Sequence, residues 1–154
     1  MDLRDLLSLE AVLPAIRAIS KKQVLQEVAA RAGRVSGLDD RAIFETISQR
    51  ERLGSTGVGH GIAIPHGSLP GLERPFGIFA RLVRPIEFDA IDDLPVDLVF
   101  ALLTPEGAGA DHLKALARIS RVMRDHALAG KLRASSDTAA LWALLTHPVH
   151  SDAA

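Results

Sequence analysis

The chain contains no cysteine, which excludes a disulfide framework and any cysteine-ligated zinc site. No run of about 18 apolar residues is present, so nothing in it reads as a membrane-spanning helix. The start, Met1-Asp2-Leu3-Arg4-Asp5, carries acids and lacks the apolar core of a signal peptide. Together these absences point to a cytoplasmic protein with no membrane insertion. Neither sign of charge dominates: 18 basic against 19 acidic residues leave a formal net charge of −1. A balance so close to zero argues for no nucleic acid partner across a broad surface, with room only for local basic patches. No internal repeat, low-complexity segment or linker divides the chain. What remains is 154 residues, 47% apolar and 24% charged, the make-up of an ordinary globular domain. A chain of that length buries roughly 68–70% of its unfolded surface and needs no covalent or metal staple. We expect one domain over residues 1–150 and a frayed tail at 151–154.

The densest signal is Gly54-Ser55-Thr56-Gly57-Val58-Gly59-His60-Gly61-Ile62-Ala63-Ile64-Pro65-His66-Gly67. Its glycines permit positive φ and close backbone approach to a ligand, and successive N–H groups in such a loop make an anion-binding nest. Two phosphate motifs are nonetheless missing. A dinucleotide fingerprint needs G-x-G-x-x-G between a strand and a helix; here Gly57, Gly59 and Gly61 space as G-x-G-x-G and an apolar strand, Ile62-Ala63-Ile64, follows. A P-loop needs G-K-[ST], and this stretch has no lysine. Pro65 then fixes its own φ and Gly67 leaves room, so His66 is held stiffly at a strand end. A rigid imidazole beside anion-binding amides suits a phosphoryl acceptor, since imidazole is nucleophilic near neutral pH and forms covalent intermediates. The residues alone leave equal room for a glycine-rich turn around one structural histidine.

Along the chain, residues 1–10 read as an ordered lead-in and Ala11 to Ile19 as a strand, at a sheet edge because of Pro14. Ser20-Lys21-Lys22-Gln23 resembles a capping box. The helix after it turns Val24, Leu25, Val28, Ala29 and Ala32 inward and stops at Gly33. Asp39 or Asp40 caps a second helix to about Leu53, with Ile43, Phe44 and Ile47 inward. Leu69 to Pro75 is a turn-rich loop. Phe76 to Val83 is a strand, with a further short strand at Ile86-Glu87-Phe88. Val96 to Leu103 lacks clear alternation and belongs at the centre of the sheet. A helix from about Asp111 to Asp125 presents Leu113, Leu116, Ile119, Ser120 and Met123 inward. Leu128 to Leu132 forms a helical turn, and Asp137 caps a last helix. His126, His147 and His150 read as solvated. The alternation is irregular, which implies an α/β single-domain sandwich: a mixed sheet of about five strands with helices on both faces.

Two further residues merit attention. Arg50 follows Ile43 by seven residues and Ile47 by three, which places it on the inward stripe at the helix end feeding the glycine-rich loop. A partly buried guanidinium needs an anion, either a nearby acid in a salt bridge or, fork-on, a phosphate. Arg52 lies on a polar stripe and is the weaker candidate. His112 falls in the first turn of a helix, where amides and the helix dipole favour anions; a capping or packing histidine fits the residues equally well.

Ser55-Thr56-Gly57-Val58-Gly59-His60-Gly61-Ile62-Ala63-Ile64-Pro65-His66-Gly67 resembles the signature of enzyme IIA proteins of the bacterial phosphoenolpyruvate-dependent phosphotransferase system. Within it the likeness is to the mannitol/fructose group, nitrogen-related branch, and it extends over nearly the whole chain in length and order of elements. The resemblance implies the same sandwich fold. It implies that His66 accepts a phosphoryl group from a histidine-phosphorylated small carrier protein, that His112 supports the phosphohistidine, and that Arg50 is a phosphate ligand. Ser55, Thr56, Gly57, Gly59 and Gly61 would form the phosphate-binding loop. It implies no cofactor and no metal, and assigns no role to His60. Three functions compete on this reading: a regulatory, nitrogen-type phosphocarrier; a sugar-specific fructose- or mannitol-type enzyme IIA passing phosphate to a transporter subunit; and a binding module with His60, His66 and His112 as metal ligands. Against the last, no acidic ligand recurs at metal spacing in the loop.

Overall fold

The computed structural model describes residues 2–147; the expected tail at 151–154 and His150 lie outside them. After a short helix α1 (Leu3–Leu6) and a 3-10 turn (Leu9–Ala11), strand β1 (Val12–Ile16) enters the sheet. Pro14 cannot donate to a ladder, and β1 is an edge strand that among the described residues pairs only with β5. Helix α2 (Lys21–Ser36) starts where Ser20 Oγ accepts the Gln23 N–H, while Gln23 Oε1 accepts the Ile19 N–H. It does not stop at Gly33 but continues to Gly37, whose φ of 78° caps it in the left-handed region. Gly33 is instead a crossing point: a Cβ there would lie 2.9 Å from Asp40 Cβ. That contact brings α3 (Asp40–Leu53), capped by Asp39, onto α2.

Six strands form one mixed sheet in the order β1-β5-β6-β3-β2, with β4 also on β6. The glycine-rich stretch folds into most of one edge: β2 (Gly57–Gly59) turns back antiparallel onto β3 (Ile62–Ala63). After a break at Ile64 and Pro65, β4 (His66–Leu69) continues parallel to β6. Sequence reading ends a strand at His66 and begins a loop at Leu69; pairing with β6 instead starts a strand at His66 and carries it through Gly67 and Ser68 to Leu69. Strands β5 (Phe76–Ile86) and β6 (Val96–Pro105) are antiparallel neighbours, and β5 joins the two strands expected at 76–83 and 86–88 through a register shift between Arg81 and Ile86.

Every residue from Leu98 to Thr104 is completely buried. Successive side chains of a strand point to opposite faces, so β6 is covered on both. Helices α2 and α3 pack over β5 and β4, while α4 (Gly109–Met123), α5 (His126–Ala134) and α6 (Thr138–Thr146) pack on β6 and β1. Helix α4 begins two residues earlier than its sequence suggests and buries Ala115, Ile119 and Met123; Leu113, expected inward, is 68% exposed. No helix among the described residues is long and apolar enough to cross a membrane.

Candidate active site

Strand β4 sets the geometry. In its register with β6, His66 lies opposite Leu102 and Ser68 opposite Thr104. Residues two apart share a face, so His66, Ser68 and Thr104 point to one side. Gly67 points to the other, where a Cβ would come within 2.5 Å of Thr46 Cγ2 on α3. The glycine is what lets α3 pack directly against β4. From the His66 side, the first turn of α4 lowers His112 to a ring-centroid separation of 5.3 Å, edge to face at 60°.

The protonation of His66 is legible from one contact. Its Nδ1 lies 2.9 Å from the Ile64 carbonyl oxygen, which can only accept, so Nδ1 carries the proton and donates. A neutral ring then has its lone pair on Nε2. Burial pushes His66 below the ordinary imidazole value; the bond to Ile64 opposes this, Arg50 and His112 reinforce it, and Glu51 pulls back. Burial likewise lowers His112. The site therefore holds two neutral imidazoles at neutral pH, one with an unshared pair on Nε2.

Arg50 is half-buried at the end of α3, its Nη1 donating to the Gly54 carbonyl at 2.8 Å. No carboxylate lies within 4.0 Å of its guanidinium among the described residues, leaving the remaining donors of the fork free for an anion. Its charge reaches His66. Arg52, the weaker candidate, is exposed.

The glycine-rich stretch is knitted to itself and its neighbours. Thr56 N–H donates to Glu51 Oε2 at 3.0 Å, Gly57 N–H to Ser55 Oγ at 3.0 Å, and His60 N–H to Asp92 Oδ2 at 2.9 Å. Those amides are engaged and do not open as a nest. Gly59 and Gly61 have φ of 102° and 80°, which the tight β2–β3 turn requires. Arg133 of α5 seals that turn, donating to the His60 carbonyl at 2.7 Å and to Asp97. His60 itself adopts φ 57° and meets His126 edge-on at 4.8 Å. Its ring thus stands with His126, not with His66 and His112. His126 is exposed, as is His147 against Trp142.

Sequence reasoning passed over Glu51. It follows Ile47 by four residues and Ile43 by eight, on the same buried stripe, and a carboxylate there is itself a signal. Only 6% exposed, it accepts from Thr56 N–H, the Thr56 hydroxyl and Lys21 Nζ, the last at 3.0 Å. Thr56 O in turn accepts the Ile64 N–H at 3.0 Å. A continuous line of bonds thus runs from Lys21 through Glu51, Thr56 and Ile64 to His66 Nδ1.

Comparison with known proteins identifies the family and the fold. The sequence model described as phosphoenolpyruvate-dependent sugar phosphotransferase system, EIIA 2, matches residues 5–147. A nitrogen regulatory protein of Bradyrhizobium diazoefficiens is 60% identical over 148 residues, 96% of this chain and 97% of that protein. The crystal structure of nitrogen regulatory protein IIA-Ntr from Neisseria meningitidis superimposes with a TM-score of 0.86 at 36% identity, covering 92% of this chain and 97% of the other. The mannitol IIA of Escherichia coli, at 16% identity and TM-score 0.76 over 90% of this chain and 97% of its own, shares the fold. The chain belongs to the EIIA type 2 family of the phosphoenolpyruvate-dependent sugar phosphotransferase system, as a phosphotransferase component.

Proposed function

We propose that this chain is a phosphocarrier of the regulatory, nitrogen-related kind, with His66 Nε2 as the phosphoryl acceptor. The observation that carries the reading is the Nδ1–H bond from His66 to the Ile64 carbonyl, which leaves Nε2 as the nucleophile on a ring kept neutral by burial. The donor is a small carrier protein phosphorylated on histidine. Nε2 attacks phosphorus in line, the donor's P–N bond breaks with its electron pair returning to the donor imidazole, and a P–N bond forms on His66. The ring gains positive charge as it bonds, and the Ile64 carbonyl stabilises it through the retained Nδ1–H.

Transfer of this type has a loose transition state, so the protein contributes positioning and electrostatics. The free donors of Arg50 take the phosphoryl oxygens, and His112 donates to them from across the site. Of the loop residues Ser55, Thr56, Gly57, Gly59 and Gly61, Thr56 braces Ile64 by accepting its N–H, and the amides of Thr56 and Gly57 are spent within the loop. Negative charge added on a docking face changes how partners bind, which is the basis of a regulatory role; the 60% identical relative bears the name nitrogen regulatory protein.

The test is intact mass after incubation with phosphoenolpyruvate, the general phosphotransfer enzyme and its small carrier protein. Wild type is expected to gain one acid-labile phosphoryl group and His66→Ala none. No gain in folded wild type with active carrier, or an equal gain in His66→Ala, overturns the assignment.

A further inference from the structure

The geometry points to a hydroxyl relay, Ser68 to Thr104 to His112, that holds His112 in the tautomer whose Nε2 carries the proton. Thr104 is thereby a positioning residue for the phosphoryl group, an inference that rests on His66 being the acceptor. Thr104 ends the apolar run of β6 and is completely buried. A hydroxyl in that place needs partners, and it has two. Its Oγ1 lies 2.7 Å from His112 Nδ1 and 3.1 Å from Ser68 Oγ. The register that sets Ser68 opposite Thr104 is the same one that sets His66 opposite Leu102, so the relay and the acceptor are built on one strand pair.

Proton counting allows two orders, and the anion that Nε2 must face selects between them. Thr104 has one proton to give and lone pairs to receive with. With neutral His112, Ser68 donates to Thr104 and Thr104 donates to His112 Nδ1. The imidazole proton is then on Nε2, where it can donate to a phosphoryl oxygen. The reverse order would put a lone pair on Nε2, which repels an anionic oxygen. If His112 takes up a proton, its Nδ1–H donates to Thr104 and Thr104 turns its own proton to Ser68. Thr104 Oγ1 and His112 Nδ1 stay paired in both states. Ser68 is exposed, so solvent can complete the outer end of the relay. Its loss is therefore milder than that of Thr104.

The experiment is nitrogen-15 NMR of the histidine rings in unphosphorylated protein, well above the ordinary imidazole pKa, for wild type, Thr104→Val and Thr104→Ser. Valine keeps the branched shape that a buried strand position needs and removes only the hydroxyl. In wild type, His112 Nε2 is expected to be the proton-bearing nitrogen and Nδ1 a bare, hydrogen-bonded one. Thr104→Val should move Nδ1 to the shift of an unbonded nitrogen, and Thr104→Ser should restore it. A proton on Nδ1 in wild type, or an Nδ1 signal unmoved by Thr104→Val, overturns the relay. Once phosphorylated, Thr104→Val should lose its phosphoryl group about two- to tenfold faster, the span of one ordinary hydrogen bond, with Thr104→Ser near wild type. Equal hydrolysis rates would remove the relay from phosphoryl stabilisation. Failure of wild type to be phosphorylated at all would refute the acceptor reading and leave the nitrogen spectra to judge the relay.

Discussion

Replacing Glu51 by alanine removes one acceptor that serves three donors. Thr56 N–H is buried with it and has no other partner among the described residues, so its desolvation costs about 1–3 kcal/mol. The Thr56 hydroxyl can rotate and adds little. Lys21 keeps Asp89 at 3.2 Å and has a side chain 22% exposed, so its loss falls well short of the ~3–5 kcal/mol that follows from breaking a fully buried pair. The sum is about 2–4 kcal/mol of folding stability. For a chain of this size that corresponds to a melting point lower by roughly 4–16 °C. Glu51→Gln can set its carbonyl oxygen in the place of Oε2, where it accepts from both Thr56 N–H and Lys21, and turn its NH2 to the Thr56 hydroxyl, which can accept; it should therefore recover most of the loss, short of the charge pairing with Lys21. Urea denaturation with unchanged slope, read by circular dichroism, measures the difference. A loss below about 1 kcal/mol would show that Thr56 and Lys21 find other partners and that the line of bonds to Ile64 is not what holds the loop.

Three other outcomes follow from the site. Arg50→Ala should keep the fold, since its side chain gives only one bond to Gly54, but slow phosphoryl transfer on the order of 10²-fold in rapid-quench kinetics. Lysine there should not restore it, because a point charge lacks the fork; full activity in Arg50→Ala would remove Arg50 from the phosphate. Gly67→Ala should cost about 1–3 kcal/mol by forcing α3 off β4, and Thr46→Ser, which deletes the clashing Cγ2, should return most of it in a double-mutant cycle. Additive effects would place the strain elsewhere. As to pH, both His66 and His112 are lowered in the folded state, so the unfolded chain binds more protons. Their contribution is fully present above the unfolded value, about 6.5, and is lost as pH falls through the lower folded values. Stability measured from pH 8 down to 5 should therefore bend downward below about 6.5, less so in the double variant His66→Ala, His112→Ala; an equal slope in both proteins would contradict the burial.

The helices and the central strand were legible because their signals are local. Ser20, Asp39 and Asp137 cap as their side chains suggest, and the unbroken apolar run of β6 marks a strand buried on both faces. Strand β4 was not, because Gly67 and Ser68 have no strand preference of their own; pairing with β6 supplies it. Leu113 was expected inward yet is exposed, because the buried stripe of α4 is Ala115, Ile119 and Met123, four residues apart, and Leu113 lies off it. Within the site, His66 stood out by its rigid neighbours. Arg50 and His112 needed the periodicity of two helices as well as the family likeness. Glu51 and Thr104 were hidden for another reason. Glu51's place on the buried stripe is a local sign, but the partners that give each its role include Lys21, 30 residues from Glu51, and Ser68, 36 from Thr104.

The most direct test of the account is where the phosphorus sits. Phosphorus–nitrogen correlation NMR on the phosphorylated, nitrogen-15-labelled protein reads the bonded atom itself. The account predicts coupling to Nε2 of His66, with Nδ1 still proton-bearing toward Ile64. Coupling to Nδ1, or to any other histidine, would contradict it.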